Sequence, residues 1–325
     1  MRVFLTGGTG FIGGSIARQL RERGDDVVAL VRTPGKATAL SANGVELVPG
    51  ELNDDDAIRK GMAGCDAVIH SAAIYEIGIP AKAKPEMYAT NVEGTRRVLQ
   101  AALDAGVGKV VYVSTVGAFG NTQGQIVDET YRHPHTSYTS YYEETKVEAH
   151  DIAEDFAKRG LPVVIVQPGG VYGPGDKSTL GQNMERIARG KMPLLPFPDL
   201  GMTMVHRDDV AEGILLALDK GRPGEAYVLT GDAVTMRDIS ERVSAIAGKR
   251  GPRADMPTWV IRASAPLGPI VGPMMGFPPN FRELISTSAG VTFWARADKA
   301  RAELGFFPRP LEDGLTELVA TMRDG

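Results

Sequence analysis

Val3-Phe4-Leu5-Thr6-Gly7-Gly8-Thr9-Gly10-Phe11-Ile12-Gly13 decides the fold: an apolar strand runs into a glycine-rich turn and then into a helix near Gly10 to Arg23. Gly8, Gly10 and Gly13 fit a G-x-G-x-x-G spacing, and Gly7, Gly10 and Gly13 fit G-x-x-G-x-x-G. Such a turn opens backbone N–H groups and the positive end of a helix dipole to a pyrophosphate, and the missing side chains permit the approach. A tight strand-to-helix turn with no ligand is the plainer reading of the same glycines.

Further along, Val27 to Val31, Val45 to Val48, Ala67 to His70, Lys109 to Ser114 and Val163 to Gln167 read as strands. Helices near Asp54 to Met62, Pro85 to Ala105 and Tyr141 to Arg159 alternate with them. Valine-rich strands without polar alternation are buried on both faces, as parallel sheets require. The expected class is therefore α/β, a doubly wound parallel sheet of the Rossmann type with a smaller, mostly helical carboxyl-terminal cap. Gly169 to Gly175 reads as a loop that neither a helix nor a strand continues comfortably. A helix at Gly181 to Arg189, the proline-rich Met192 to Pro198 and the region Gly251 to Pro279 read as pieces of the cap. The expected division assigns 1–175 to the dinucleotide domain, with 205–235 returning to it, and 176–204 and 236–325 to the cap.

With 325 residues, 43% hydrophobic and 23% charged, the chain can bury a large core. A net charge of -4 and a pI near 5.8 offer no basic face for nucleic acid. The single cysteine, Cys65, cannot form an internal disulfide, and no apolar run reaches the roughly 18 residues of a membrane span. The first strand starts at Arg2, leaving no room for a signal peptide, so a cytoplasmic setting is expected. No metal site is expected.

The second strand ends Ala29-Leu30-Val31-Arg32, with Val31 where an NAD-type carboxylate would stand. Arg32 can make a planar, charge-assisted contact with a 2'-phosphate, with Lys36 as a second cation. NADP(H) is favoured and NAD(H) remains possible. Glu51 and Leu52 are placed to flank the adenine, and Ala72 and Ala73 are small enough to let a cofactor cross the sheet edge.

Tyr142 and Lys146 lie four residues apart in Ser-Tyr-Thr-Ser-Tyr-Tyr-Glu-Glu-Thr-Lys, which puts both on one helix face. A phenol with an ordinary pKa near 10 is a poor acid–base catalyst at neutral pH, and an adjacent ammonium is expected to lower it.

In this order, Thr6 to Gly13, Val68-Ile69-His70-Ser71-Ala72-Ala73, Asn91-Val92-Glu93-Gly94-Thr95, Val113-Ser114-Thr115, Tyr142 to Lys146, Pro168-Gly169-Gly170-Val171-Tyr172-Gly173-Pro174 and His206-Arg207-Asp208-Asp209-Val210-Ala211 resemble the motifs of the extended short-chain dehydrogenases/reductases. That NAD-dependent epimerase/dehydratase group includes sugar-nucleotide epimerases, dihydroflavonol reductases and 3β-hydroxysteroid dehydrogenases, and the Val31-Arg32 pair is more like the reductases. The resemblance implies that Thr115 binds the substrate oxygen, with Ser114 the alternative one register away, and that Lys146 also holds the nicotinamide ribose. It further implies that Pro168, Gly169 and Val171 border the cofactor, that Asn91 supports the site and that His206 is structural. Gln167 stands where the family commonly has arginine. A homodimer through the helices around 85–105 and 141–159 is also implied.

The expected reaction is NADP(H)-dependent reduction of a ketone or aldehyde, or the reverse oxidation, with Tyr142 as acid and base. A nucleotide-sugar epimerase or dehydratase is the alternative, and a non-catalytic NADP(H) sensor is disfavoured by the intact Thr115, Tyr142 and Lys146. Met256, Pro257, Trp259, Ile261, Leu267, Ile270, Val271, Met274, Met275, Phe277 and Phe281 make the cap apolar, either as the lining for an apolar or aromatic substrate or as the cap's own core. Arg186, Arg189, Lys191, Arg253 and Arg282 are the candidates for a diphosphate clamp.

Overall fold

A computed structural model describes residues 1–264, 266 and 278–323. The strands are β1 (Arg2–Thr6), β2 (Asp26–Val31), β3 (Glu46–Pro49), β4 (Ala67–His70), β5 (Lys109–Val113), β6 (Val163–Pro168), β7 (Gly170–Tyr172), β8 (Leu194–Leu195), β9 (Gly201–His206), β10 (Ala226–Leu229), β11 (Ala233–Thr235), β12 (Ala254–Asp255) and β13 (Thr292–Phe293). The helices are α1 (Phe11–Glu22), α2 (Thr38–Ala42), α3 (Asp55–Met62), α4 (Lys84–Tyr88), α5 (Gly94–Ala105), α6 (Tyr141–Lys158), α7 (Thr179–Ala188), α8 (Arg207–Lys220), α9 (Met236–Ala247), α10 (Thr258–Ser264), α11 (Phe281–Ser288) and α12 (Leu311–Arg323).

The main sheet runs β10-β6-β5-β4-β1-β2-β3, and each neighbouring pair is parallel. Successive side chains enter opposite layers. Val3, Leu5, Val27, Ala29, Val111 and Val164 pack with Ile16 and Leu20 of α1 and Val210 and Ile214 of α8. Phe4, Val28, Val68, Val110 and Ile165 pack on the other side with Ile58 of α3, Leu99 of α5 and Ile152 and Phe156 of α6. Each such burial stabilises the fold by roughly 1.5–3 kcal/mol, which explains strands apolar at every position. Strand order reverses between β1 and β4, and the carboxyl ends there form the crevice where such sheets take their ligands.

The structure departs from the sequence pattern in four places. Gly170–Tyr172 forms β7, pairing in parallel with Met204 to His206 of β9, where a loop was expected. Gly169 permits this, since a Cβ there would lie 2.2 Å from the Thr203 carbonyl oxygen. Second, β9 hydrogen-bonds in a smaller sheet with β7, β11 and β13, while its Val205 packs in the main core beside α8 and β10. Third, Ala297, Ala300, Leu304 and Phe306 pack into the main core with α8, although residues beyond 236 were assigned to the cap. Fourth, the single helix expected from Pro85 to Ala105 is α4, a π-helical turn at Ala89–Glu93, and α5.

The cap is held by α7, α9 and α12 around Met184, Ile239, Val243 and Leu315. Ile261 and Phe281 pack with Phe197 and Leu284, and Met256 lies against them, so these three belong to the cap's own core. Trp259 is 70% exposed. Leu267, Ile270, Val271, Met274, Met275 and Phe277 fall outside the described residues. Among the described residues no helix is long and apolar enough to cross a membrane.

Gly169→Ala should lower stability by about 1–3 kcal/mol in urea unfolding, because its new methyl meets backbone. Gly35→Ala, with open space around its Cβ, should stay within about 0.5 kcal/mol. Equal midpoints for the two variants would contradict the tight β7–β9 seam.

Candidate active site

The glycine turn is built by contacts that only glycine permits. Gly7 has φ +77°, and a Cβ there would lie 2.7 Å from the Ala72 amide nitrogen; one on Gly13 would lie 2.0 Å from the Gly7 carbonyl oxygen. The Gly10 amide donates to the Gly7 carbonyl at 2.8 Å. Gly10 is the N-cap of α1 and offers no side-chain cap, and the first turn, from Phe11 and Ile12, carries no acidic residue. Amides left open in this way suit an anion such as a pyrophosphate. Arg32 and Lys36 are exposed, and their side chains form no ion pair or hydrogen bond among the described residues. Glu51 is exposed, whereas Leu52 packs close to Gly94. Ala72 and Ala73 follow β4 at the crevice, and Pro168 closes β6 ahead of Gly169 and Val171.

At the carboxyl end of β5 the two candidate hydroxyls part. Ser114 Oγ lies 3.0 Å from His150 Nδ1. Thr115 caps a short helical turn at Val116–Phe119 by accepting the Gly117 N–H at 3.0 Å, and its hydroxyl lies on the Tyr142 side, where it favours the ionised phenol. Tyr142 and Lys146 occupy successive turns of α6. That helix starts at Ser140, whose Oγ accepts the Glu143 N–H at 3.1 Å, and α11 docks on the same end as the Tyr141 N–H donates to Glu283 Oε1 at 2.9 Å.

Asn91, in the π-helical turn, ties three parts of the site together. Its Oδ1 accepts the Ile74 N–H at 2.7 Å, while Nδ2 donates to the Ile74 carbonyl at 3.0 Å and to Thr145 Oγ1 at 3.1 Å. The clamped loop carries Tyr75, 60% exposed, whose ring meets that of Tyr142 edge-on at 4.9 Å.

The electrostatics depart from expectation. Lys146 Nζ donates to Tyr112 Oη at 3.1 Å and to the Val113 carbonyl at 3.0 Å, and burial pulls its pKa down to about 7. The Tyr142 phenol is raised above the ordinary tyrosine range, first by burial and then by Tyr75 and Tyr112, against the lowering effect of the Thr115 hydroxyl. Lys146 therefore does not depress Tyr142 here, because the ammonium is desolvated and turned toward β5.

A buried chain that the sequence reading did not identify runs behind these groups. The Ala72 N–H donates to Thr6 Oγ1 at 3.3 Å, and Thr6 Oγ1 lies 2.7 Å from His70 Nδ1. His70 Nε2 lies 3.0 Å from Thr95 Oγ1, whose proton goes to the Asn91 carbonyl at 2.7 Å. With the Thr95 proton committed, His70 donates from Nε2 and accepts from the Thr6 hydroxyl at Nδ1, which fixes a neutral tautomer. Burial, and secondarily the Lys146 charge, lowers the His70 pKa to about 3. The signal was present as polar residues inside otherwise apolar strands.

The remaining candidates lie apart from this cluster. His206 caps α8, its Nδ1 accepting the Asp208 N–H at 3.3 Å. Asp208 and Glu317 beside it are paired with Arg18 and Arg309. Gln167 is buried, and its Nε2 has no partner among the described residues. Of the diphosphate-clamp candidates, Arg189 pairs with Glu185 at 2.9 Å, and Lys191, Arg253 and Arg282 are exposed.

Residues 3–230 match the NAD dependent epimerase/dehydratase family. A putative dihydroflavonol 4-reductase of Synechocystis is 33% identical, over 97% of this chain and 93% of its own. A 4-hydroxy-2-methyl-3-oxo-4-farnesyl-3,4-dihydroquinoline-1-oxide ketoreductase of Stigmatella aurantiaca is 31% identical, over 95% and 92%. Among solved structures, a dTDP-glucose 4,6-dehydratase of Streptomyces venezuelae with NAD bound aligns with a TM-score of 0.80 at 26% identity, covering 100% of this chain and 98% of that one.

The His70 shift has a definite sign. Its folded pKa lies below the ordinary value of 6.5, so the unfolded chain binds the extra proton first, and stability falls as pH drops from 6.5 toward about 3. The slope from this residue approaches about 1.4 kcal/mol per pH unit within that window. Urea unfolding at pH 7 and pH 5 should show a smaller loss in His70→Gln than in wild type; an equal loss would mean that His70 is not held neutral.

Proposed function

The chain belongs to the NAD-dependent epimerase/dehydratase family of extended short-chain dehydrogenases/reductases, and from this premise we propose that it is an NADP(H)-dependent reductase of ketones or aldehydes. The observation that carries the reading is the meeting of the Thr115 hydroxyl with the Tyr142 phenol at the carboxyl end of β5. The likeness along nearly the whole chain to proteins named as reductase and ketoreductase supports it.

A nicotinamide dinucleotide, when bound, supplies the hydride or accepts it. The amides of Phe11, Ile12 and Gly13, on the scaffold of Gly7 and Gly10, would hold its pyrophosphate. Arg32 and Lys36 would hold a 2'-phosphate, and their lack of partners among the described residues supports NADP(H) over NAD(H). Glu51 and Leu52 would flank the adenine, Ala72, Ala73, Pro168, Gly169 and Val171 would border the ribose and nicotinamide, and Lys146 would bind the nicotinamide ribose. In the reductive direction Tyr142 donates its proton to the substrate oxygen, and Thr115 gives a hydrogen bond to the same atom. A phenol raised by burial keeps that proton at neutral pH. The substrate is an apolar or aromatic carbonyl compound, and the chain is a homodimer through α5 and α6.

The whole-chain likeness to a dTDP-glucose 4,6-dehydratase favours a second reading, in which the cofactor is reduced and reoxidised within one turnover. The exposed or paired arginines of the cap do not support a ready diphosphate clamp.

Tyr142→Phe should cut kcat about a hundredfold or more with KM little changed; a loss under about threefold would remove Tyr142 from the role of acid. Fluorescence titration should show at least about tenfold preference for NADPH over NADH, largely lost in Arg32→Ala, as a charge-assisted contact of about 1.5–3 kcal/mol requires. NADH preference would direct substrate screening to sugar nucleotides.

A further inference from the structure

Thr6, His70 and Tyr112 are register partners across β1, β4 and β5. Strand periodicity sends all three side chains to the α5–α6 face, where each is 1% exposed. The Tyr112 ring stacks on His70 with centroids 5.8 Å apart, and Thr95 and Ser114 flank its hydroxyl. Its ring is therefore held by the stack before Lys146 is considered. Lys146 Nζ lies 3.1 Å from the Tyr112 oxygen, 3.0 Å from the Val113 carbonyl and 4.9 Å from the Tyr112 ring centroid. An ammonium has three N–H donors, and two are taken up by these fixed acceptors of β5.

We propose that Tyr112 is a positioning residue for Lys146: its hydroxyl, set by the His70 stack and flanked by Thr95, fixes one donor against β5 and aims the remaining N–H into the cleft. The proposal rests on the reading of Tyr142 and Lys146 as a working pair. Among the described residues, the titratable groups facing Lys146 are His70 from β4, Tyr112 from β5 and Tyr142 on its own helix. The π-helical turn and α5 present the uncharged Asn91 and Thr95, and the turn after β5 presents Thr115. With His70 neutral, Tyr112 is the side chain that accepts a hydrogen bond from the charged lysine. Removing its oxygen leaves the ammonium a single fixed acceptor, so the lysine loses its proton at lower pH and its N–H direction is no longer set.

The test is a pH titration of the lysine Cε signals of the full-length, lysine-labelled protein, with Lys146 assigned from Lys146→Met. Tyr112→Phe should lower the Lys146 midpoint by at least half a unit, about threefold in the ionisation constant. With 1-phenyl-1,2-propanedione and NADPH as the kinetic probe, the alkaline fall of kcat should move down in pH by a similar amount. A folded Tyr112→Phe with an unchanged midpoint overturns the proposal. Should that variant not fold, Thr95→Val against Thr95→Ser decides: a midpoint lowered in the valine form and kept in the serine form supports the positioning role, and equal midpoints overturn it. Absence of carbonyl turnover in wild type with this and related ketones would count against the reductase reading, while the lysine titration would still decide the role of Tyr112.

Discussion

The approach of the Gly7 backbone to that of Ala72 is the contact on which the cleft depends. It joins the carboxyl ends of β1 and β4 at the point where strand order reverses, and a single methyl on Gly7 would lie 2.7 Å from the Ala72 nitrogen. Gly13 then lets α1 sit directly on Gly7, so the open amides of that helix face the crevice and not a neighbouring side chain. Close approach here also brings the Ala72 amide to the Thr6 hydroxyl, the first link of the buried chain that ends beneath α6. The glycine turn and the polar groups around Tyr142 and Lys146 are thus parts of one packing arrangement.

Burial acts on the ionisable groups of the site in one direction. It pulls Lys146 and His70 down and pushes Tyr142 up, so each is drawn toward its neutral form. A dry pocket strengthens any field that a bound anion or dipole brings into it. The uncharged state of His70 also leaves Lys146 without a second cation to repel it on the sheet side.

Six of the seven parallel strands are legible in the sequence because each is locally apolar and bounded by turn residues, and Ala67 to His70 has the expected limits, whereas β10 at the sheet edge is not. Tyr142, Lys146 and the glycines were readable for a similar reason, since spacing within one helix or turn carries the information. The smaller sheet was not readable in this way, because β7 is a three-residue strand whose partner lies more than thirty positions along the chain. Thr6, His70 and Tyr112 lie far apart in sequence, and only strand register makes them neighbours. Lys146 was assigned to Tyr142 from helix spacing alone, which could not reveal the competing acceptors on β5.

The π-helical turn at Ala89–Glu93 sets the rotational phase between two helical segments. One residue in an α-helix corresponds to about 100° of rotation, so an extra residue in a single turn offsets the apolar face of α4 from that of α5 by that amount. Asn91 points into the site while Val98 and Leu99 still meet the sheet, because the two requirements are met in different phases. A one-residue deletion in this turn would restore an ordinary helix, and the chain would then have to choose between its core contacts and its hold on Ile74 and Thr145. Homologous sequences aligned across this segment would accordingly be constrained in length even where their side chains differ.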